Sequence, residues 1–415
     1  MPGDKINILF LMIQMAMGGA ERLVYNLARN IDRDHFAPSI GWFVQDEPLK
    51  EFEELEIPLY YIPKRKRFDW EAMSRIAQIV RTQSIDVVNA HHFMPFFYAY
   101  YGAKVVNNAG LVYTDHSVND ILRVTGMWRP IGRYLLKRSD AAVGVSEAVS
   151  RTIGAHFGLS PGKIHTIENG VDLSLFSREK EEKVHPGSRF GFPPTDVIVG
   201  IVANFRKIKN HLFLLKAFRE VEKEKRDVKL VLAGQGFPGD PESTEQAIRD
   251  FIRENGLEDN VLLLGYRPDV HELLRMMDIF CLVSYREGLP ISLIEGMASG
   301  LPILGTNVEG IREVVEPDEN GLVVEPDDVP GLTQALHRLI GDSDLRRRMG
   351  ESSRRKAEAQ YSLRRCIEET ERLFISAYPR ALPGIGNAGG RCAAAVKNEV
   401  NPRSPESNGP RRVVL

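Results

Sequence analysis

Glu287 and Glu295, with seven residues between them in Glu287-Gly288-Leu289-Pro290-Ile291-Ser292-Leu293-Ile294-Glu295, form a carboxylate pair whose spacing suits work on a polar ligand. A carboxylate accepts two hydrogen bonds at once, which fits the vicinal hydroxyls of a sugar or a ribose. Glu287 reads as a loop residue and Glu295 as lying inside the first turns of the following helix, so the two can reach different parts of one elongated molecule. Pro290 suits the first turn of that helix, which leaves free amides from Leu289 to Ser292 at its mouth, where phosphate oxygens are favoured. Leu289, Pro290 and Ile291 are therefore candidate phosphate-binding positions. A rival chemistry is glycoside hydrolysis, in which two carboxyls flank the scissile bond. The plainer reading is a turn glutamate beside a helix-surface glutamate.

Three other segments bear on that choice. Arg206-Lys207-Ile208-Lys209-Asn210 follows an apolar run, and Arg206 with Lys209 can hold a diphosphate through charge-assisted hydrogen bonds worth about 1.5–3 kcal/mol each. Gly18-Gly19-Ala20-Glu21 lies between an apolar run and a helical pattern, where bare backbone amides can approach a phosphate or a sugar. It has neither the full dinucleotide fingerprint nor a phosphate-loop Lys-Ser/Thr ending, which argues against ordinary NAD or ATP binding there. His116, in Thr114-Asp115-His116-Ser117, can donate to a sugar hydroxyl or influence charge near a reacting centre. Each has a bland counterpart: a tight turn, a solvated helix start, a structural histidine. A diphosphate that must depart explains the glycine turn, the cations and the helix mouth together, so group transfer is favoured over hydrolysis. No nucleophile-elbow sequence supports a Ser/His/Asp set. His91-His92 is adjacent rather than on one helix face and the carboxylates are scattered, so neither a metal nor another cofactor is expected.

These residues need a scaffold, and the chain alternates short apolar runs with helical patterns. At 415 residues it exceeds the size at which one core stops growing, so two domains are expected. Strands are expected at Ile6 to Met12, Pro38 to Val44, Pro58 to Ile62, Asp86 to Ala90, Leu111 to Thr114, Ala141 to Val145 and Lys163 to Ile167. The pattern resumes at Val197 to Val202, Val228 to Ala233, Val261 to Leu264, Ile279 to Val283 and Pro302 to Gly305. Continuous apolar runs separated by helices imply parallel sheets covered on both faces. The expected architecture is two Rossmann-like α/β/α domains facing across a cleft, residues 1–177 and 191–360. A polar linker is expected at 178–190, a C-terminal helix at 361–379 and a disordered tail at 380–415. In such sheets ligands sit beyond the carboxyl ends of the strands, where these loops fall.

Composition narrows the partners. Lys plus Arg total 54 against 56 for Asp plus Glu, a formal net charge of −2 that gives no reason to expect a nucleic acid. Three cysteines, Cys281, Cys366 and Cys392, make no pair and no metal spacing, which fits a reducing, cytoplasmic setting. The apolar run Ile6 to Met17 has a poor positive leader and is interrupted by Asn7 and Gln14, so it reads as a first strand rather than a signal peptide. No apolar stretch reaches the length of a membrane span. Lys64-Arg65-Lys66-Arg67 with Phe68 and Trp70, and the set Arg123, Trp128, Arg129 and Arg133, are candidate contacts for an anionic membrane surface.

From Ile6 to Tyr378 the chain resembles the GT-B-fold, retaining glycosyltransferase family 4. The resemblance rests on Gly18-Gly19-Ala20-Glu21, Ile167-Glu168-Asn169-Gly170-Val171-Asp172, the glutamate pair Glu287 and Glu295, and Met297-Ala298-Ser299-Gly300-Leu301-Pro302, in that order. It implies a UDP- or GDP-sugar donor held by the second domain, a glycan or lipid-linked acceptor entering from the first, and a C-terminal helix that packs back on the first domain. It also implies that Glu287 contacts the donor sugar, Glu295 the ribose, and Gly19 with the amides near Leu289 to Ile291 the diphosphate, with His116 at the active-site histidine. Lys209 matches the family lysine, whereas Asn204 stands where the family carries arginine and Arg206 lies two positions later. Either Arg206 supplies the guanidinium by a shifted geometry or Lys209 acts with less help. A catalytically weak nucleotide-sugar-binding or assembly protein is the different-class alternative.

Overall fold

The computed structural model describes residues 5–15, 18–44, 48–66, 68–176, 191–237 and 239–379. The linker at 178–190, the tail at 380–415 and Arg67 lie outside the described residues.

Seven strands build the first sheet: β1 (Ile6–Gln14), β2 (Phe36–Val44), β3 (Leu59–Tyr61), β4 (Val87–His91), β5 (Gly110–Asp115), β6 (Ala141–Gly144) and β7 (Ile164–Thr166), in the order β3-β2-β1-β4-β5-β6-β7. Six build the second: β8 (Val197–Val202), β9 (Val228–Ala233), β10 (Val261–Gly265), β11 (Ile279–Leu282), β12 (Ile303–Thr306) and β13 (Gly321–Val324), in the order β10-β9-β8-β11-β12-β13. All pairings are parallel, because a helix or turn of helix carries the chain back between most successive strands. Helices on both faces seal the sheets, so Ile8, Leu9, Phe10 and Leu11 of β1 have no solvent exposure at all. β13 is absent from the sequence expectations, since four residues after Pro317-Asp318-Glu319-Asn320 look like the end of a turn.

Strand order reverses at the same place in each sheet. β1 lies between β2 and β4, and β8 between β9 and β11, so the connections leave β1 and β4, or β8 and β11, in opposite directions and open a crevice at their carboxyl ends. The helix Leu363–Ala377 packs on the first domain, with Phe374 edge-on to Phe10 at 5.8 Å and Glu371 accepting from the Asp32 amide at 2.8 Å. Leading into it, the Val171 amide donates to the Tyr361 carbonyl at 2.9 Å. Gly170 fits there for want of a side chain: a Cβ would overlap the backbone of Ser362.

Candidate active site

In the second domain, the chain leaves β8 through Ala203 to Arg206, makes a single turn over Lys207–Lys209, and enters the helix His211–Glu224 through Asn210 in the left-handed conformation (φ 52°). The segment after β11 runs from Val283 to Pro290 into the helix Ile291–Ala298. Pro290 is the capping residue just before that helix rather than its first helical residue. The Tyr285 amide donates to the Ile208 carbonyl at 2.9 Å, which ties the two loops together. That tie lets Lys209 Nζ reach Glu287 Oε1 at 2.7 Å, with both side chains largely enclosed. Asn204 Oδ1 and Ser284 Oγ, at the ends of the same strands, are buried without a hydrogen-bond partner among the described residues.

Glu295 lies on the buried face of the Ile291–Ala298 helix and is 6% exposed. Burial pushes its carboxyl up to about 7, with the Arg22 guanidinium of the first domain opposing the shift. Arg206 does not join Lys209 and Glu287; its Nε stands 2.8 Å from Asp240 Oδ2.

Gly288 presses directly on the first domain, where a Cβ would overlap the carbonyl of His116. Around this contact Arg286 Nη1 donates to Asn119 Oδ1 at 2.8 Å and Asn169 Nδ2 donates to the Leu289 carbonyl at 2.8 Å, and past the edge strand β10 Tyr266 donates to Glu51 Oε1 at 3.1 Å. At the far end, Glu313 accepts the Ala148 amide at 3.0 Å, at the start of the helix Glu147–Phe157.

The first domain's wall is built from imidazoles. His116 follows β5, and its Nε2 lies 2.8 Å from His91 Nδ1 at the end of β4. Burial is the main cause that drives both rings below the ordinary histidine range, His91 to about 3, so both are neutral near pH 7. His92 lies 3.8 Å from Asp115 Oδ1 and 3.7 Å from Asp120 Oδ2. These three residues present ligand atoms within 4.8 Å of one another, a convergence that sequence spacing gave no sign of. Both Asp115 oxygens are already engaged: Oδ1 accepts the His116 and Ser117 amides, and Oδ2 accepts the Tyr113 hydroxyl. Asp115 therefore orders the loop that carries His116.

Gly18 caps the helix Gly19–Asn30, and the space beside Gly19 is open, with nothing within 4 Å of where a Cβ would stand. The buried Glu21 carboxylate accepts from the backbone amides of Gly18 and Glu21, so the helix's own side chain covers amides that sequence reading offered to a phosphate. The structure thus brings Lys209, Glu287, Leu289, Pro290 and Ile291 together beneath His116 and leaves Arg206 with Asp240. Arg286, Asn119 and Arg22 have no place in the sequence reading, and His91 enters it only as a metal-ligand candidate. Only His91 left a signal, sharing a strand face with Asn89 two residues earlier.

Two parallel α/β domains, with charge at the crevice of one and neutral imidazoles at the crevice of the other, have the architecture of a GT-B glycosyltransferase. Solved structures agree: HepE from Anabaena, crystallised with UDP and glucose, superposes with a TM-score of 0.77 at 19% identity, covering 88% of this chain and 98% of that one. WaaG, a glycosyltransferase involved in lipopolysaccharide biosynthesis, gives 0.70 at 18% identity, covering 88% and 99%. Residues 17–175 match the model described as Glycosyltransferase Family 4 and residues 188–356 the one described as Glycosyl transferases group 1, and the chain belongs to this family of enzymes. Among its relatives are N-acetyl-alpha-D-glucosaminyl L-malate synthase of Bacillus anthracis, 28% identical over 78% of this chain and 83% of that protein. Another is the UDP-Gal:alpha-D-GlcNAc-diphosphoundecaprenol alpha-1,3-galactosyltransferase of Escherichia coli, 20% identical over 90% and 97%.

Proposed function

We propose that this glycosyltransferase moves a sugar, with retention of anomeric configuration, from a UDP- or GDP-sugar to a hydroxyl of a glycan, glycolipid or lipid-linked acceptor. The observation that carries the reading is the convergence of Lys209, Glu287 and the mouth of the Ile291–Ala298 helix opposite His116. Lys209 and the amides of Leu289 and Ile291 stabilise charge on the departing diphosphate, which is electrostatic preorganisation rather than acid–base chemistry. Glu287 accepts from donor-sugar hydroxyls, and Glu295 accepts from the ribose. The acceptor hydroxyl attacks the face the diphosphate leaves, through an oxocarbenium-like state, and its proton passes to the leaving phosphate oxygen.

The acceptor arrives from a membrane surface in this reading. Ring contacts Phe68–Phe97 at 6.0 Å and Phe97–Trp128 at 5.2 Å weld the segment around Lys64-Arg65-Lys66 to the helix Trp128–Arg138. Trp70 (63% exposed), Met127 (68%) and Tyr134 (54%) stand out among Lys66, Arg129, Arg133 and Lys137, and no acidic residue occurs from Ile121 to Ser139. No helix among the described residues is long and apolar enough to cross a membrane, so contact would be peripheral. Each cation near anionic lipid contributes about 1 kcal/mol. Sedimentation with phosphatidylglycerol vesicles should deplete the protein from solution, and Arg129→Glu/Arg133→Glu should abolish this; equal binding to phosphatidylcholine would contradict it.

Turnover of a panel of UDP- and GDP-sugars with polyprenyl-diphosphate-sugar and soluble glycan acceptors tests the activity, with the new anomeric centre read by NMR. Transfer with inversion would overturn the retaining mechanism. Absence of binding and transfer across the panel by folded protein would overturn the donor class.

A further inference from the structure

A column of polar side chains runs along one face of the first sheet towards the cleft. Asn89 and His91 on β4 and Thr114 on β5 share that face through the two-residue period of a strand, and His116 continues it past the end of β5. Asn89 Nδ2 donates to Thr114 Oγ1 at 2.8 Å, which turns Asn89 Oδ1 towards His91 Nε2 at 2.9 Å. His91 Nδ1 then meets His116 Nε2 at 2.8 Å. Leu27, Val112, Val143 and Phe374 wall the small cavity beside Asn89 and His91, so these groups have chiefly one another as partners.

The orientation of Asn89, with Nδ2 on Thr114 Oγ1 and Oδ1 on His91, sets the hydrogens of this chain. Asn89 Oδ1 can only accept, so His91 must carry its hydrogen on Nε2. A neutral His91 then has its lone pair on Nδ1 and can only accept from His116, which puts the His116 hydrogen on Nε2. Nδ1 is left as the ring nitrogen of His116 with no hydrogen-bond partner among the described residues.

We infer that Asn89 and His91 are positioning residues that hold His116 as its Nε2–H tautomer, so that His116 meets the substrate as a hydrogen-bond acceptor at Nδ1. The polarity is the reverse of the donor role that sequence alone suggested. A site built this way selects a substrate that offers a hydroxyl hydrogen at that point, and a deoxy or O-methyl analogue leaves the lone pair unmatched. No proton changes hands. The inference rests on the proposed transferase reading only for the identity of that substrate.

Long-range proton–nitrogen correlation spectra of the full chain labelled at histidine nitrogens read the tautomer directly, with His116 and His91 assigned by single substitution. The expected result is a hydrogen on Nε2 in both rings. A His116 hydrogen on Nδ1, or a charged ring, overturns the proposal. Asn89→Leu should turn the single His116 tautomer into a mixture and lower kcat about tenfold, with donor KM within about threefold. Asn89→Asp sets a carboxylate against His91 and favours its protonated ring, which donates from Nδ1, so the His116 hydrogen should move to its own Nδ1. An unchanged tautomer in Asn89→Leu would remove Asn89 from the relay. The wild-type spectrum needs no turnover, so Nε2–H in a chain that transfers nothing would overturn the proposed function and leave this inference standing.

Discussion

The two sheets share one strand order and place opposite chemistry at the point where it reverses. Beyond β8 and β11 the second domain sets a lysine against a glutamate, with a second glutamate buried behind them. Beyond β4 and β5 the first domain sets neutral imidazoles in a hydrogen-bonded chain and shields the buried Asp115 with amides and a tyrosine hydroxyl. Charges that neutralise each other before a ligand arrives can be re-paired by a polyanion, whereas neutral rings keep their field small and discriminate through hydrogen-bond direction. The fold is duplicated, but the division of labour is not. Under the proposed function, one wall would stabilise a leaving diphosphate and the other would orient hydroxyls.

That contrast breaks most readily at the ion pair. Lys209→Ala should lower kcat/KM by about 10²–10³ if Lys209 stabilises developing charge, and Glu287→Gln should fall in the same range. Steady-state kinetics with the preferred donor checks both, and a loss under tenfold would place the diphosphate elsewhere.

Glu295 sharpens the comparison through pH. Its carboxyl is raised from 4.5 to about 7 in the folded protein, so the folded state favours the protonated form. The associated stability is full below about 4.5 and lost as pH rises through 7, with a ceiling of about 3 kcal/mol. His91 runs the other way: lowered from 6.5 to about 3, its contribution is present above 6.5 and lost as pH falls towards 3. Glu295→Gln should therefore raise the melting temperature of ligand-free protein at pH 8 and hardly change it at pH 5, while weakening nucleotide binding about tenfold. Calorimetric melting at the two pH values checks the sign.

Smaller effects are expected where the walls meet. Asn169→Ala removes the hydrogen bond to the Leu289 carbonyl and should raise donor KM several-fold, a change of about 1 kcal/mol. Arg206→Gln should shift donor KM by less than about threefold, because Arg206 is engaged by Asp240 and not by the Lys209–Glu287 pair. Initial-rate measurements over a donor titration rank the two, and a larger effect at Arg206 would restore it as a diphosphate ligand.

Much of the scaffold was legible because buried parallel strands announce themselves as apolar runs: Val197–Val202 and Val228–Ala233 fall where the sequence places them. β13 escaped because four residues beside a polar turn carry too little pattern. The Glu287 segment was legible as chemistry because loop and helix mouth are contiguous in sequence. What stayed hidden depends on where side chains turn. Nothing local says that Arg206 pairs with Asp240, that Glu21 folds back over Gly18, or that Arg286 reaches Asn119 in the other domain. The His91–His116 contact joins two strands, and only their parallel register brings the rings together.

Titration calorimetry of UDP and GDP against the wild-type protein, Lys209→Ala and Asn89→Leu tests the division of labour most directly. One nucleotide should bind the wild type, at least tenfold more weakly to Lys209→Ala and within about twofold of wild type to Asn89→Leu. Binding of neither nucleotide, or equal losses in the two variants, would contradict a donor wall built on charge and a hydroxyl wall built on neutral imidazoles.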